Sequence, residues 1–437
     1  MASDRIEKFQ AALRNLQLQP LLSKVEREKL WVDYDGECLD QLEQKVLDCT
    51  ESTNQFLFAG HRGCGKSTLL YDFSQRMESQ FFTVFFSISN LIQSEELNHI
   101  NILFAIALEM MEKAECENVK ISADKKQAFF DWFKERTQIE INGISSNLGF
   151  GIDLLKMIKG NLQTEQSIKE EIKTKFTQNF RDLIDTLNAI ATEIKLATKR
   201  EILVIVDDLD KSEPEEVSHI YKKNIKALLE PKFIIIYTVP IATIRDGVFK
   251  KDIEEATGND IFVMPVLKLY PKGESHKTDG KPSAKSMAIL QSVLTRRIDA
   301  DLFAAGIEEK IALYSGGVLR DAVRIAQRCC NEVLVKLRQK ARRNENIEDV
   351  RIDGEIFGDA VDKLRNDMQI ALSKRDREIL LQIYANYRTD DPKHQDFLDL
   401  LHTLVAIEYR NRESWYDVHP LMIEQLRVEK LIPAASI

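Results

Sequence analysis

The chain has 437 residues, of which 44% are hydrophobic and 30% are charged, and its formal net charge is −9. This length suits two or three domains with sizeable cores, and the acidic balance argues against a surface built throughout to hold nucleic acid, although a local basic patch stays compatible with it. Six cysteines without a CxxC pair and a charged N-terminus predict a cytoplasmic protein with reduced thiols, without a signal peptide or membrane span.

The N-terminal part predicts helices around a short extended segment. Residues 5–16 carry apolar side chains at helical spacing, which indicates an amphipathic helix, and residues 39–47 predict another. Between them, the segment from Trp31 to Tyr34 predicts an extended piece. Its aromatic rings either pack against an adenine base or simply join a core.

The stretch FLFAGHRGCGKST, residues 56–68, matches GxxxxGK[ST] completely. A buried strand ending at Ala59, a glycine-containing loop and a helix from Leu69 give the context that this phosphate-binding motif requires. Inward-facing backbone amides at a helix N-terminus attract phosphate, Lys66 is suited to the β- and γ-phosphates, and the Ser67 hydroxyl is suited to magnesium. The predicted cofactor-binding residues are Gly60, His61, Arg62, Gly63, Cys64, Gly65, Lys66, Ser67 and Thr68.

A large insertion separates this motif from the next one. Residues 81–88 predict a second buried strand of a parallel sheet. Residues 139–152 alternate apolar and polar side chains with glycines, which predicts a hairpin or a flexible tongue. Helices are predicted over residues 97–116, 125–137 and 167–199. The insertion, at about 118–200, either carries specificity for a partner or serves packing alone.

Residues 202–206 predict a fully buried strand that ends in two carboxylates, Asp207 and Asp208. The carboxyl ends of strands are where open α/β sheets bind ligands. In P-loop enzymes an aspartate here completes the magnesium shell, so Asp207 is the second predicted metal residue beside Ser67. Asp208 is the candidate general base. Strand-end aspartates also serve as helix caps, but the pairing with a phosphate-binding loop favours the catalytic interpretation.

Two further strands are predicted over residues 233–240 and 261–266. Thr238 lies near the end of the first and is predicted to lie beside the γ-phosphate, with a purely structural threonine as the alternative. Residues 270–282 contain lysines, glycines and prolines, and predict a linker before a mainly helical remainder.

Two basic features lie in that remainder. Arg320 follows a Gly-Gly break and falls in the first turns of a helix, where a cation is poorly placed for the helix dipole; this indicates a contact with phosphate. Residues 336–343 form a basic run, for which a solvated helix face is the default interpretation and nucleic-acid contact the alternative.

The C-terminal part predicts the outline of a winged helix. Two helices, over residues 375–387 and 397–404, precede two short strands around a polar turn. The presumed reading helix carries Asp396 and Asp399 against only Lys393 nearby, which would face phosphate with the wrong sign. A protein-contact or structural role is therefore favoured over DNA binding.

Taken together, these motifs resemble P-loop ATPases of the AAA+ and STAND superclass, with a layout similar to origin-recognition-type AAA+ proteins. The resemblance implies an α/β fold: a P-loop NTPase parallel sheet with a helical insertion, followed by a helical lid and a C-terminal winged-helix domain. It implies that residues 60–67 are the Walker A motif, residues 202–208 the Walker B motif, Thr238 sensor 1 and Arg320 sensor 2. The implied division is residues 1–30, 31–282, 283–372 and 373–437.

This resemblance implies an ATP- and Mg²⁺-dependent ATPase that acts as a switch, coupling lid movement to homo-oligomerisation or to a protein effector, in prokaryotic defence or signalling. The alternatives are a DNA-binding initiator or loader and a nucleotide-binding scaffold with negligible turnover. Asp208 stands where AAA+ enzymes commonly have glutamate, which indicates slow hydrolysis. No residue matches an arginine finger, because Arg245, the only nearby candidate, follows the sensor 1 strand at too loose a spacing. Adenine is favoured because the chain has no NKxD-type guanine-binding motif.

Overall fold

The computed structural model describes residues 2–34, 36–49, 54–93, 96–137, 150–212, 214–245, 247–258, 261–368, 372–410 and 413–433. They form two compact units, each assembled from separate parts of the chain. The sheet unit comprises Glu37–Ala59 and Leu69–Val263, and the C-terminal unit comprises Met1–Gly36, Gly60–Thr68 and Met264–Ile437. The finer division into four sequence domains stays a prediction.

Helices dominate both units. In chain order they are α1 (Ala2–Asn15), α2 (Lys24–Leu30), α3 (Gly36–Leu47), α4 (Lys66–Met77), α5 (His99–Cys116), α6 (Ala123–Thr137), α7 (Phe150–Thr164), α8 (Gln166–Gln178), α9 (Phe180–Thr198), α10 (Pro214–Val217), α11 (Ile225–Leu228), α12 (Gly247–Thr257), α13 (Ala284–Thr295), α14 (Ile307–Tyr314), α15 (Leu319–Arg342), α16 (Gly354–Met368), α17 (Lys374–Asn386), α18 (Gln395–His402) and α19 (Pro420–Val428). Within the described ranges, none of them has the length and apolar character that crossing a bilayer requires.

A five-stranded parallel sheet organises the sheet unit, with strand order β2-β3-β4-β1-β5. Its strands are β1 (Gln55–Gly60), β2 (Phe81–Ser87), β3 (Glu201–Asp207), β4 (Ile234–Pro240) and β5 (Phe262–Met264). β1 and β4 are buried along their whole length, as expected for strands covered on both faces. The predicted α/β fold with a P-loop NTPase sheet is confirmed. Because the strands are parallel, the carboxyl ends of β1 and β3 lie at the same edge of the sheet.

The core of the sheet unit contains α5, which precedes the insertion, and α6 to α9, which lie within it. α5 begins at His99 because the Asn98 side chain accepts hydrogen bonds from the N–H groups of Ile100 and Asn101, both at 3.1 Å. Twelve of the residues of α5 are buried, so this helix is central in the core rather than a surface helix. The helices predicted over residues 97–116 and 125–137 are thus confirmed as α5 and α6.

The prediction of one helix over residues 167–199 is wrong. The chain forms two helices, α8 and α9, separated by Asn179, whose φ of −141° and ψ of 63° are not helical. Asparagine is a weak helix former, and the break lets both apolar faces enter the same core, which buries Ile172 and Leu187 completely. The hairpin or tongue predicted for residues 139–152 lies outside the described residues up to 149, and residues 150–152 begin α7 instead.

A second core holds the C-terminal unit together. Phe9 and Leu16 of the N-terminal part are fully buried in it, together with side chains of α13 to α16. Arg5 reinforces this packing, since its guanidinium donates to the Val350 carbonyl at 2.9 Å and to the Asp301 carboxylate at 2.9 Å. The predicted N-terminal helix is confirmed as α1 and belongs to this core.

The segment over residues 270–282, predicted as a linker, has no helix or strand but is firmly attached to the C-terminal part. The Ser275 hydroxyl donates to the Asp417 carboxylate at 2.7 Å, and His276 Nε2 lies 2.9 Å from the other Asp417 oxygen. The His276 ring also stacks on Tyr384, with ring centroids 4.0 Å apart. This segment is therefore a structured loop of the C-terminal unit.

The C-terminal elements follow the predicted order of two helices and two strands. After α17 and α18, strands β6 (Ala406–Arg410) and β7 (Ser414–Val418) pair in antiparallel register, with Glu408 opposite Tyr416. The basic run on α15 is partly neutralised, because Lys336 pairs with Glu355 and Lys340 with Glu345. These ion pairs support the interpretation of the run as a solvated helix face.

Two leucines of α9 provide a matched test of the core of the sheet unit. Leu187 is fully buried, whereas Leu196 is 58% exposed. Leu187→Ala leaves a cavity and is expected to destabilise the unit by about 2–5 kcal/mol, whereas Leu196→Ala is expected to change stability by about 0.5 kcal/mol or less. Thermal unfolding followed by circular dichroism measures both, and equal melting temperatures for the two variants would contradict the packing described for α9.

Candidate functional site

The loop over residues 60–65 adopts a conformation that depends on glycine. Gly63 and Gly65 have φ values of 78° and 99°, a backbone region that is strained for residues with a Cβ atom. Lys66, only 4% exposed, donates from Nζ to the Gly60 carbonyl at 3.0 Å and to the His61 carbonyl at 2.8 Å. The ammonium group is therefore held directly over the loop backbone, where the motif requires it.

Two N-terminal segments contact this loop and the helix that follows it. The Tyr34 hydroxyl donates to the Cys64 carbonyl at 2.7 Å, and the Leu21 N–H donates to the Thr68 hydroxyl at 3.2 Å. A Cβ atom at Gly65 would lie 1.9 Å from the Tyr34 hydroxyl, so only glycine fits there. The sequence predicted that the aromatic rings of residues 31–34 pack either against an adenine base or in a core. In the structure, Tyr34 contacts the loop backbone through its hydroxyl group.

Arg320 and the loop lie together in the C-terminal unit. The Arg320 N–H donates to the Gly63 carbonyl at 3.0 Å, in the first turn of α15. A Cβ atom at Gly63 would approach the Arg320 Cβ to 2.6 Å. The structure thus brings the predicted sensor residue against the predicted phosphate-binding loop, from a position about 250 residues further along the chain.

His61 was predicted as a cofactor-binding residue, but its side chain has a different partner. It is 2% exposed, and its Nε2 accepts a hydrogen bond from the Glu408 N–H at 2.8 Å. Its backbone carbonyl still belongs to the loop, as the Lys66 contact shows. Sequence reasoning missed this contact because a backbone donor 347 residues away leaves no sequence signal.

Three acidic residues gather at the end of β3. Asp207, Asp208 and Asp210 are buried and place one carboxylate oxygen each within 4.8 Å of the others, close enough to share one metal ion. Carboxylate oxygens are the ligands that magnesium prefers. Asp210 was missed by the sequence reasoning, although the DDLD pattern itself carries the signal of a third acid.

Asp208 is surrounded by donors. Its carboxylate accepts from the Ser87 and Ser89 hydroxyls at 2.6 and 3.0 Å and pairs with the Lys211 ammonium at 2.5 Å. Burial opposes its charged form, but the hydrogen bonds from Lys211 and the two serines prevail and lower the pKa of Asp208. Its φ of 69° is in the left-handed region, which aspartate tolerates better than most residues. The donors, which all belong to the sheet unit, therefore favour the ionised form of the Asp208 carboxylate.

Thr238 is fully buried, and its hydroxyl bonds to the backbone around the acidic residues. The oxygen accepts from the Leu209 N–H at 3.1 Å, and the hydroxyl donates to the Val206 carbonyl at 3.3 Å. Both partners flank Asp207 and Asp208 in sequence. These contacts support a structural role for Thr238: its hydroxyl fixes the backbone of the segment that carries Asp207 and Asp208.

The loop and the acidic cluster, each within its own unit, have the chemistry that a nucleotide phosphate and a magnesium ion require. The loop offers a glycine backbone with a buried ammonium, in which an added Cβ at Gly65 would collide with its surroundings. The end of β3 offers a cluster of oxygen donors of the type that binds magnesium. The fold and these features define the chain as a protein with the P-loop NTPase fold.

Comparison with known proteins agrees with that class. Residues 38–246 match the KAP family P-loop domain. No curated protein matches the chain. Among solved structures, the chain is similar to the Orc1 protein of Aeropyrum pernix in complex with DNA, with 10% identity and a TM-score of 0.40, over 94% of this chain and 97% of that chain.

The environment of Asp208 predicts a pH effect. The pKa of Asp208 is lower in the folded protein than in the unfolded chain, so its ion pair with Lys211 stabilises the fold at pH values above the ordinary carboxylate pKa. That contribution is lost as the pH falls through the lowered pKa. Lys211→Met is therefore expected to lower the melting temperature at pH 7, with a difference from the wild type that shrinks as the pH falls below the ordinary carboxylate pKa and through the lowered pKa of Asp208.

Melting temperatures of both proteins across this pH range test the prediction. Lys251→Met, at a side chain that is 75% exposed and paired with Glu255, serves as the control and is expected to change little. A Lys211 effect that is independent of pH would contradict the ion pair as the cause.

Substitutions at Thr238 separate its structural and sensing interpretations. Thr238→Val leaves the buried Leu209 N–H without its acceptor and is expected to cost about 1–3 kcal/mol of stability, whereas Thr238→Ser keeps the hydroxyl. Denaturant unfolding measures both variants. A Thr238→Val protein as stable as wild type but impaired in nucleotide turnover would reverse the interpretation in favour of a sensor.

Proposed function

We propose that this protein is a magnesium-dependent ATP-binding switch that hydrolyses ATP slowly. The observation that carries the proposal is the complete phosphate-binding motif at the end of β1, in which Lys66 is held over the loop carbonyls. In the same parallel sheet, β3 ends in buried carboxylates at the edge where β1 also ends. The match of residues 38–246 to a P-loop domain supports the nucleotide-binding part of the proposal.

The residues divide into those that bind phosphate and those that bind the metal. The loop amides over residues 60–65 and the Lys66 ammonium bind the β- and γ-phosphates. The proposed magnesium residues are Ser67, at the start of α4, and Asp207, at the end of β3; Asp210 belongs to the same acidic cluster as Asp207. Magnesium supplies positive charge that offsets the charge on the phosphate oxygens.

Asp208 is the proposed general base, and its environment explains why turnover would be slow. A carboxylate that accepts from Ser87, Ser89 and Lys211 has a lowered pKa and is a weak proton acceptor. To orient and deprotonate water, the carboxylate has to use Oδ1, because both serines bond to Oδ2, and the water has to share that oxygen with the Lys211 ammonium. Such a requirement suits a switch that stays in its ATP-bound state.

Arg320 is proposed to connect the nucleotide state to the C-terminal unit. Its backbone bonds to Gly63, and its Cδ would lie 3.3 Å from a Cβ atom at Gly63, so its side chain runs beside the loop that is proposed to bind phosphate. We propose that this contact changes how the C-terminal unit engages a protein effector or a second copy of the chain. DNA is less favoured as the partner, because Asp396 and Asp399 lie on α18 and two lysines of the basic run are paired with acids.

Three substitutions test the assignments. Lys66→Ala is expected to weaken ATP binding at least about a hundredfold, because it removes the cation that faces the phosphates. Asp207→Asn is expected to remove the dependence of binding on magnesium, and Asp208→Asn to abolish hydrolysis while binding is kept. Isothermal titration with ATP and GTP, with and without magnesium, and phosphate-release assays measure these effects.

Lys374→Ala, at a side chain that is 93% exposed, is the matched lysine control and is expected to behave as wild type. Binding of ATP by the Lys66→Ala variant at wild-type affinity would contradict the site. Equal affinity for ATP and GTP would contradict the adenine preference, and unchanged turnover in Asp208→Asn would exclude Asp208 as the base.

A further inference from the structure

The phosphate-binding loop has an attachment that its motif does not require. The Glu408 N–H of β6 donates to His61 Nε2 at 2.8 Å, and both residues are 2% exposed. An imidazole nitrogen that accepts a hydrogen bond carries no proton, so the contact requires neutral His61 with its proton on Nδ1. The second residue of the loop is thus fixed to a backbone group of a C-terminal strand.

The next residue of the same strand reaches the turn that leads to Arg320. The Tyr409 hydroxyl donates to the Gly316 carbonyl at 2.5 Å. Burial, together with Asp417, raises the pKa of Tyr409 well above its ordinary value, so this hydroxyl remains a donor. A Cβ atom at Gly316 would lie 2.7 Å from the Ile407 side chain and 3.0 Å from Pro420, which shows how closely the turn packs on this part of the chain.

A third contact joins the end of the strand pair to the first turn of α15. His419 Nδ1 accepts from the Leu421 N–H at 3.2 Å, so the proton of the neutral ring is on Nε2. That nitrogen lies 3.2 Å from the Asp321 carboxylate and donates to it. Both side chains are buried, with His419 fully inaccessible. Asp321 directly follows Arg320, whose N–H bonds to Gly63.

We propose that the β6–β7 strand pair regulates nucleotide binding by holding both the loop and the start of α15, with His61 as the positioning residue that transmits the effect. One arm runs from Glu408 through His61 to the loop, and the other from Tyr409 and His419 through the start of α15 to Gly63. A partner that displaces β6 would therefore alter nucleotide affinity. This inference rests on the proposed nucleotide site.

Linkage makes the coupling reciprocal, because a contact that alters nucleotide affinity is itself altered by nucleotide. Nucleotide in the loop is thus expected to change the exchange rate of the Glu408 amide proton, which His61 protects. A purely structural His61 would leave this exchange rate unaffected by nucleotide. The readout therefore separates regulation from simple packing.

The experiment compares four variants of the full chain. His61→Phe keeps a ring without an acceptor, His61→Gln keeps an acceptor, Tyr409→Phe removes only the hydroxyl, and Arg377→Gln removes an ion pair with Glu429 in the same part of the chain. Fluorescent ATP titration gives the dissociation constants. Selective ¹⁵N-glutamate labelling, with Glu408 assigned by substitution, gives the amide exchange, and thermal unfolding verifies folding.

His61→Phe and Tyr409→Phe are expected to change ATP affinity about three- to tenfold, the effect of one lost hydrogen bond, with partial rescue by His61→Gln and no change in Arg377→Gln. If wild type binds ATP but His61→Phe and Tyr409→Phe bind it equally well while Glu408 loses protection, the regulator is refuted and the nucleotide site stands. Tyr409→Phe decides the question alone if His61→Phe fails to fold. Absence of ATP binding by wild type would refute the nucleotide site itself.

Discussion

A phosphate-binding loop functions only when its backbone is kept in one conformation, and the C-terminal unit is arranged around that requirement. Two residues from other parts of the chain bond to backbone groups of the loop: the Tyr34 hydroxyl to Cys64 and the Arg320 N–H to Gly63. Lys66, which directly follows the loop, bonds to the Gly60 carbonyl. The absence of a Cβ atom at Gly63 and Gly65 makes the approaches of Arg320 and Tyr34 possible. The loop is therefore preorganised by its surroundings, which lowers the entropy lost when an anion binds.

The sheet unit applies the same principle to the carboxylates. Thr238 fixes the backbone on both sides of the two aspartates, while Ser87, Ser89 and Lys211 hold the Asp208 side chain. These fixed donors keep the Asp208 carboxylate ionised, but they also take up hydrogen-bonding positions on its oxygens. Precise positioning and low basicity go together here, which is the combination that a slow switch needs and a rapid hydrolase avoids.

Local patterns in the sequence were sufficient for the strands, the phosphate-binding motif and most helices, because each rests on neighbouring residues. The break at Asn179 was not predictable, since the apolar spacing continues across it and only tertiary packing separates α8 from α9. The backbone role of Thr238 depends on the register between β3 and β4. The His61 contact depends on a main-chain amide, which every residue but proline possesses and which therefore leaves no pattern.

Backbone hydrogen exchange of the full chain, measured by mass spectrometry with and without magnesium and a non-hydrolysable ATP analogue, tests the central claim most directly. The account predicts slower exchange over residues 60–68, accompanied by a change over residues 406–410 that the Lys66→Ala variant does not show. Unaltered exchange over residues 60–68 in the wild-type protein at high analogue concentration would contradict it.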